Sequence, residues 1–191
     1  PYAGGAREQE TPVADAAHAL ARFGYGAGPG DLRRVAGDPR GWAIEQLDRK
    51  PAAVKAPDAE KRLRAYMRAR AKTDDAMKKA AKRDARRNVQ SFIAGKIQRA
   101  ASGDRAPVER WVDFWANHFT VAIKSPFLAA AAPSFEADAL RPNVFRSFRD
   151  LLGAVARHQA MLLYLDQAQS IGPHTPAARR GKRRNRGLHE N

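Results

Sequence analysis

His118 closes the run Trp111-Val112-Asp113-Phe114-Trp115-Ala116-Asn117-His118. On a helix, Trp111, Trp115 and His118 stand at i, i+4 and i+7 and share one face. An imidazole in that setting is suited to general-base or ligand chemistry, with its partner supplied from elsewhere in the fold. Asn117 is adjacent, and Asp113 lies about one turn earlier on a neighbouring face. The plainer reading is a core histidine whose ring nitrogen bonds a backbone carbonyl or a carboxylate.

Two carboxylates complete a candidate catalytic set with His118. Glu190 follows His189 near the end of the sequence, and Asp166 follows Met161-Leu162-Leu163-Tyr164-Leu165. His174 and His189 are 15 residues apart in loop composition, which is no recognised ligand spacing. The chain has no cysteine, which excludes disulfides, zinc–thiolate sites, iron–sulfur clusters and thiol nucleophiles. No pattern calls for a metal or a cofactor. The glycine-rich stretch Gly24-Tyr25-Gly26-Ala27-Gly28-Pro29-Gly30 lacks the Gly-Lys-Ser/Thr ending of a phosphate loop, and no strand precedes it. It reads as a corner between helices.

A second kind of chemistry is electrostatic. The net charge of +15 is local: residues 58–100 carry fourteen Lys/Arg against five Asp/Glu, and Arg179, Arg180, Lys182, Arg183, Arg184 and Arg186 supply the rest. The arginine-rich loop is a candidate contact for nucleic acid or another polyanion. In the long segment Asp74, Asp75 and Asp84 interrupt the basic run and its charged middle has no aromatic residue to offer stacking, so a solvated helix face is expected there.

The elements that position these residues are helical. Apolar residues make up 43% of the chain, much of that fraction alanine, which favours helix while burying little area. Thr11-Pro12 opens a helix whose apolar face is Ala17, Leu20, Ala21 and Phe23, and Asp31 starts a short helix. Asp38-Pro39 starts another with Trp42, Ile44 and Leu47 on its buried side. From Asp58 to Ala101 no proline occurs. Leu63, Tyr66 and Met67 mark an apolar stripe at one end, and Val89, Phe92, Ile93 and Ile97 mark another. Two helical halves with a charged, solvated middle are expected. Asp104 and Pro107 open the helix that holds His118, and prolines 126 and 133 punctuate a loop or short-helix region. Asn143 caps a helix with the face Phe145, Phe148, Leu151, Leu152 and Val155. The expected fold is all-α, an irregular helical array with a long charged helix or helix pair and no significant sheet. Residues 1–10 read as a flexible arm, 11–172 as the helical domain and 173–191 as a basic loop. No apolar run is long enough to span a bilayer, and the compartment stays open.

Several segments together resemble the bacterial family known as domain of unknown function 1800. They are Ala19-Leu20-Ala21-Arg22-Phe23-Gly24-Tyr25-Gly26, the stretch Val108–Phe119, Phe148-Arg149-Asp150-Leu151-Leu152, Ala160–Asp166, and Gly187-Leu188-His189-Glu190-Asn191. Their order and spacing, over most of residues 18–191, carry the resemblance. His158-Gln159 departs from it, since family sequences often place Asp-Pro there. Members are longer and continue the last motif as a helix. The resemblance therefore implies the N-terminal portion of a larger protein, and it implies no settled activity. The expected role is a scaffold or interaction domain whose partner is the remaining C-terminal half or another protein chain, with apolar surface exposed near Trp115 or the C-terminus. One alternative is an enzyme pocket near His118 and Glu190 completed by that half. The other is polyanion binding through the basic segments, with nucleic acid the less favoured partner.

Overall fold

The computed structural model describes residues 12–56, 58–71, 75–103, 105–167, 170–172 and 175–176. Among these residues the chain forms nine α-helices and one π-helix, with no strand, so the all-α expectation holds. The chain divides into two compact units, one built from residues up to Ala52 with Ala94–Phe114, the other from Ala53–Ile93 with Trp115 onward.

The first unit contains α1 (Pro12–Phe23), α2 (Asp31–Val35) and α3 (Pro39–Leu47), with the last residues of α5 (Asp75–Ser102) and the first of α6 (Ala106–His118). Ala16, Ala19 and Leu20 of α1, at i, i+3 and i+4, bury against Val35 of α2 and Trp42 of α3. This corrects the expected face: Leu20 is inside, but Ala17, Ala21 and Phe23 are exposed. An alanine-rich helix offers two overlapping apolar arcs, and a methyl group is too small to choose between them. In α3 Trp42 is buried as expected, whereas Ile44 and Leu47 are exposed and Gln46 is buried. Gln46 is one turn from Trp42; Ile44 and Leu47, two and five positions on, point to the far side. Asp38 caps this helix, accepting from the Gly41 N–H at 2.7 Å, with Pro39 in the first turn.

The glycine-rich stretch is a corner. Gly30 sits at φ 84°, a left-handed conformation that side chains disfavour, immediately before α2. Asp31 then accepts from the Gly28 N–H at 2.9 Å and from the Arg34 guanidinium at 2.7 Å. Those two bonds, the arginine first, hold its carboxyl below the usual carboxylate range.

The second unit contains α4 (Ala59–Ala71), the first part of α5, α7 (Pro126–Ser134), a π-helical turn (Phe135–Leu140), α8 (Phe148–Arg157) and α9 (Gln159–Tyr164). The charged run thus resolves into a helix pair. Tyr66 of α4 meets Phe127 of α7 edge-on at 4.7 Å. The region around prolines 126 and 133, expected as a loop or short helix, is part of this unit's interior. Ser125 caps α7 by accepting from the Leu128 N–H, and Pro126 occupies the first turn. Pro133 has no N–H to donate, and the chain then widens so that the Arg141 N–H donates to the Glu136 carbonyl, five residues back, at 2.9 Å. Leu128, Phe135, Leu140, Val144, Leu151 and Val155 are buried here.

Two expectations about α8 are corrected. Its cap is Ser147, which accepts from the Asp150 N–H at 3.2 Å. Asn143 instead donates to the Ala139 carbonyl at 2.9 Å, closing the wide turn. Leu151 and Val155 are buried, but Phe145, Phe148 and Leu152 are exposed. The apolar arc of α8 is broader than the core that receives it.

Candidate functional site

In the first unit, polar ties join the Ala19–Gly26 segment to α6. Arg110 donates to the carbonyls of Ala21 at 2.8 Å and Gly24 at 2.5 Å, satisfying acceptors that the end of α1 leaves open. The Tyr25 hydroxyl donates to the Asp113 carboxylate, which also receives Lys96 at 2.6 Å. Gly24 lets the two segments approach: a Cβ there would meet the Leu20 carbonyl oxygen at 2.9 Å and the Ala106 methyl at 3.1 Å. Asp113 therefore ties the Tyr25 corner and Lys96 of α5 to α6.

His118 lies in the second unit and is exposed, not a core histidine. Its ring meets Trp115 edge-on at 5.5 Å and Phe119 at 4.8 Å. Trp115 and Phe119 also face Phe148 of α8, at 5.9 and 6.4 Å. Phe148 stays 55% exposed, with Phe145 at 45% and Leu152 at 43%. The result is an aromatic surface, one side in packing contact and one side in water, which is the exposed apolar region expected near Trp115.

Asp166 is exposed and adopts φ 56°, the left-handed residue that follows α9. Its N–H donates to the Leu163 carbonyl at 3.3 Å, a helix-ending role that a short polar side chain tolerates. Glu190, His174, His189 and the basic residues Arg179, Arg180, Lys182, Arg183, Arg184 and Arg186 lie outside the described residues. Among the described residues no group of three or more His, Asp or Glu is placed to hold a metal ion.

Two features of the second unit escape sequence reasoning. Glu136 and Arg141, 5% and 3% exposed at their side chains, form a buried ion pair at 2.8–2.9 Å. They stand five residues apart, a spacing that becomes adjacent only in a π-helical turn. The other is His158, whose Nδ1 accepts from the Ala160 N–H at 3.1 Å and so caps α9. Its Nε2 stands 4.0 Å from the Asp138 carboxylate, and Phe135 packs edge-on at 5.4 Å. Burial pushes this imidazole below its ordinary pKa, and Asp138 pulls it part of the way back. Histidine is not among the usual capping residues, so the sequence offers no signal for it.

The charged segment also looks different when folded. Asp84, expected to interrupt a basic face, turns toward α4 and pairs with Arg62 at 3.1 Å, with Arg87 at 3.9 Å. Asp75 pairs with Lys78 in the first turn of α5 at 3.1 Å, and Asp74 lies outside the described residues. Lys79, Lys82, Arg83, Arg86 and Arg87 are all exposed. Lys78 and Lys82 border a cavity of about 470 Å³ with Tyr66, Ala69 and Pro126.

Compared with known proteins, residues 18–191 match the family described as protein of unknown function (DUF1800). No curated protein and no solved structure matches the chain. No helix among the described residues is long and apolar enough to cross a membrane.

Proposed function

We propose that this chain, which belongs to the DUF1800 family, is an interaction domain that docks protein on the aromatic surface of Trp115, Phe119, Phe148 and Leu152. The observation that supports this reading is Phe148: a phenylalanine stacked on Phe119 and tilted against Trp115 yet more than half exposed, with Phe145 and Leu152 exposed as well. Each such side chain is about half exposed, so it gains on the order of 1 kcal/mol when its remaining surface leaves water. Grouped apolar exposure of this kind marks docking surfaces, whereas scattered single residues do not. His118 then contributes as part of the aromatic cluster, its ring edge set against Trp115 and Phe119, and not as a base.

A second copy is the partner that can be tested on the protein alone. Light scattering across a concentration series is expected to show reversible self-association, abolished by Phe148→Ser combined with Leu152→Ser. A strict monomer that also fails to bind an apolar-surface dye would overturn the reading. Replacing His118 by Gln is expected to leave association unchanged within about twofold, because an amide keeps most of the contact.

A further inference from the structure

Lys79, Lys82, Arg83, Arg86 and Arg87 occupy nine consecutive residues of α5. At about 100° and 1.5 Å per residue they cover an arc of roughly 140° and a length of about 12 Å. The buried Ala85 and the Arg62-bound Asp84 both fall outside that arc. Among the described residues Lys79, Lys82, Arg83 and Arg86 have no ion pair, and only Arg87 shares a carboxylate, at 3.9 Å.

This arrangement works against the helix that carries it. Lys79 with Arg83, Lys82 with Arg86, and Arg83 with Arg87 are like charges at i, i+4, a spacing that destabilises a helix as much as opposite charges stabilise it. Of the two nearby carboxylates of α5, Asp84 is held on the other side by Arg62 of α4, and Asp75, at the N-terminal edge of the arc, pairs with Lys78 at 3.1 Å. Clustered like charge of this kind raises the local concentration of anions and steers them to the surface.

We propose that this face of α5 binds the phosphodiester backbone of a duplex nucleic acid, without base readout. Its chemistry favours that partner over others. No aromatic residue occurs between Lys78 and Gln90, so unstacked bases of a single strand find no platform. No large apolar side chain is exposed between Met77 and Ile93, so the face has nothing to insert into a bilayer. A duplex presents one negative charge per roughly 1.7 Å of axis, dense enough to meet all five cations at once. These residues are not those of the aromatic docking surface, so the two readings stand or fall separately.

The test is fluorescence anisotropy with a duplex of about 20 base pairs over a salt series from ~50 to ~200 mM. Wild-type protein is expected to bind with a log–log salt slope near −4, losing about 10²-fold in affinity over that range. Replacing Lys79, Lys82, Arg83 and Arg86 together by alanine is expected to weaken binding at least tenfold and to flatten the slope by about 3. Alanine favours helix, so the same variant should keep its helical circular dichroism and melt no lower than wild type in low salt. Lys79→Arg with Lys82→Arg should retain binding, while Arg146→Ala with Arg149→Ala, which removes exposed charge elsewhere in the same unit, should leave the slope within one unit of wild type. The proposal is overturned by absence of binding at ~50 mM salt, or by an unchanged slope in the fourfold variant with loss on neutralising Arg179–Arg186. Tighter, α5-dependent binding to phosphatidylserine vesicles than to the duplex would overturn it as well.

Discussion

The Arg110 and Asp113 ties of the first unit and the Glu136–Arg141 pair of the second use charge among helices in opposite ways. In the first, the ties are long in sequence and close to solvent: Arg110 reaches carbonyls 86 and 89 residues away, and Asp113 gathers Tyr25 and Lys96 at side-chain exposures near one third. In the second, Glu136 and Arg141 are five residues apart and almost wholly out of water. An exposed tie gives up little hydration, so it specifies which segments meet at small cost and contributes modestly. A buried pair gives up nearly all of it. Each member offsets the hydration the other gives up, so removing one is expected to cost far more than replacing both. The contrast is between kinds of tie and not a count: the first unit also holds the buried Glu109 against the partly buried Arg99 at 3.3 Å, and the second also carries the exposed Arg62–Asp84 pair.

The largest test of that contrast is Arg141→Ala, which strands the Glu136 carboxylate in the core. A loss of about 3–5 kcal/mol in urea unfolding is expected. Replacing the pair together, Glu136→Leu with Arg141→Met, should recover most of it. If the double replacement is no better than the single one, the pair is not the reason the turn is stable. Next in size is Arg110→Ala, which removes two charge-assisted bonds at a partly solvated helix end. It should cost about 1–2 kcal/mol, reduced from the fully buried case because water replaces the donor. Equal losses for Arg110→Ala and Arg141→Ala would erase the distinction between the two units.

The smallest effect is titratable. Burial holds the His158 imidazole below 6.5, so the unfolded chain takes up its proton first as pH falls. Stability is then full above about 6.5 and declines as pH drops below it toward the folded-state value. Protonation also turns Nδ1 from acceptor to donor and breaks the cap on α9. His158→Asn keeps a capping side chain without the titration. In thermal melts between pH 7 and pH 5 the variant should lose less stability than wild type, by about 1 kcal/mol. A parallel decline in both proteins would assign the pH dependence to other groups.

Much of the local structure could be read from residues. Asp38-Pro39 and Ser125-Pro126 are helix starts because a short polar side chain satisfies the open N–H groups and proline lacks the one that would go unpaired. The glycine corner, the helix that carries Trp111 to His118 and the helix pair within residues 58–101 follow from composition and spacing in the same way. The signal for the α5 face was also present: Lys79, Arg83 and Arg87 recur every fourth residue. Of the three acids that interrupt the run, Asp84 sits within this stretch, and it reads as an interruption until its partner Arg62, 22 residues away, is known.

The sequence by itself determined that the chain is helical, where most helices begin, and how its charge is distributed, because those depend on neighbours within a turn or two. Only the tertiary structure decided which arc of each helix is inside. Leu151 is buried while Leu152 is exposed, and Gln46 is buried while Leu47 is not. Hydrophobicity sets how much surface a chain seeks to bury, but a side chain is buried only where another element arrives to cover it, and that arrival is a property of the whole fold.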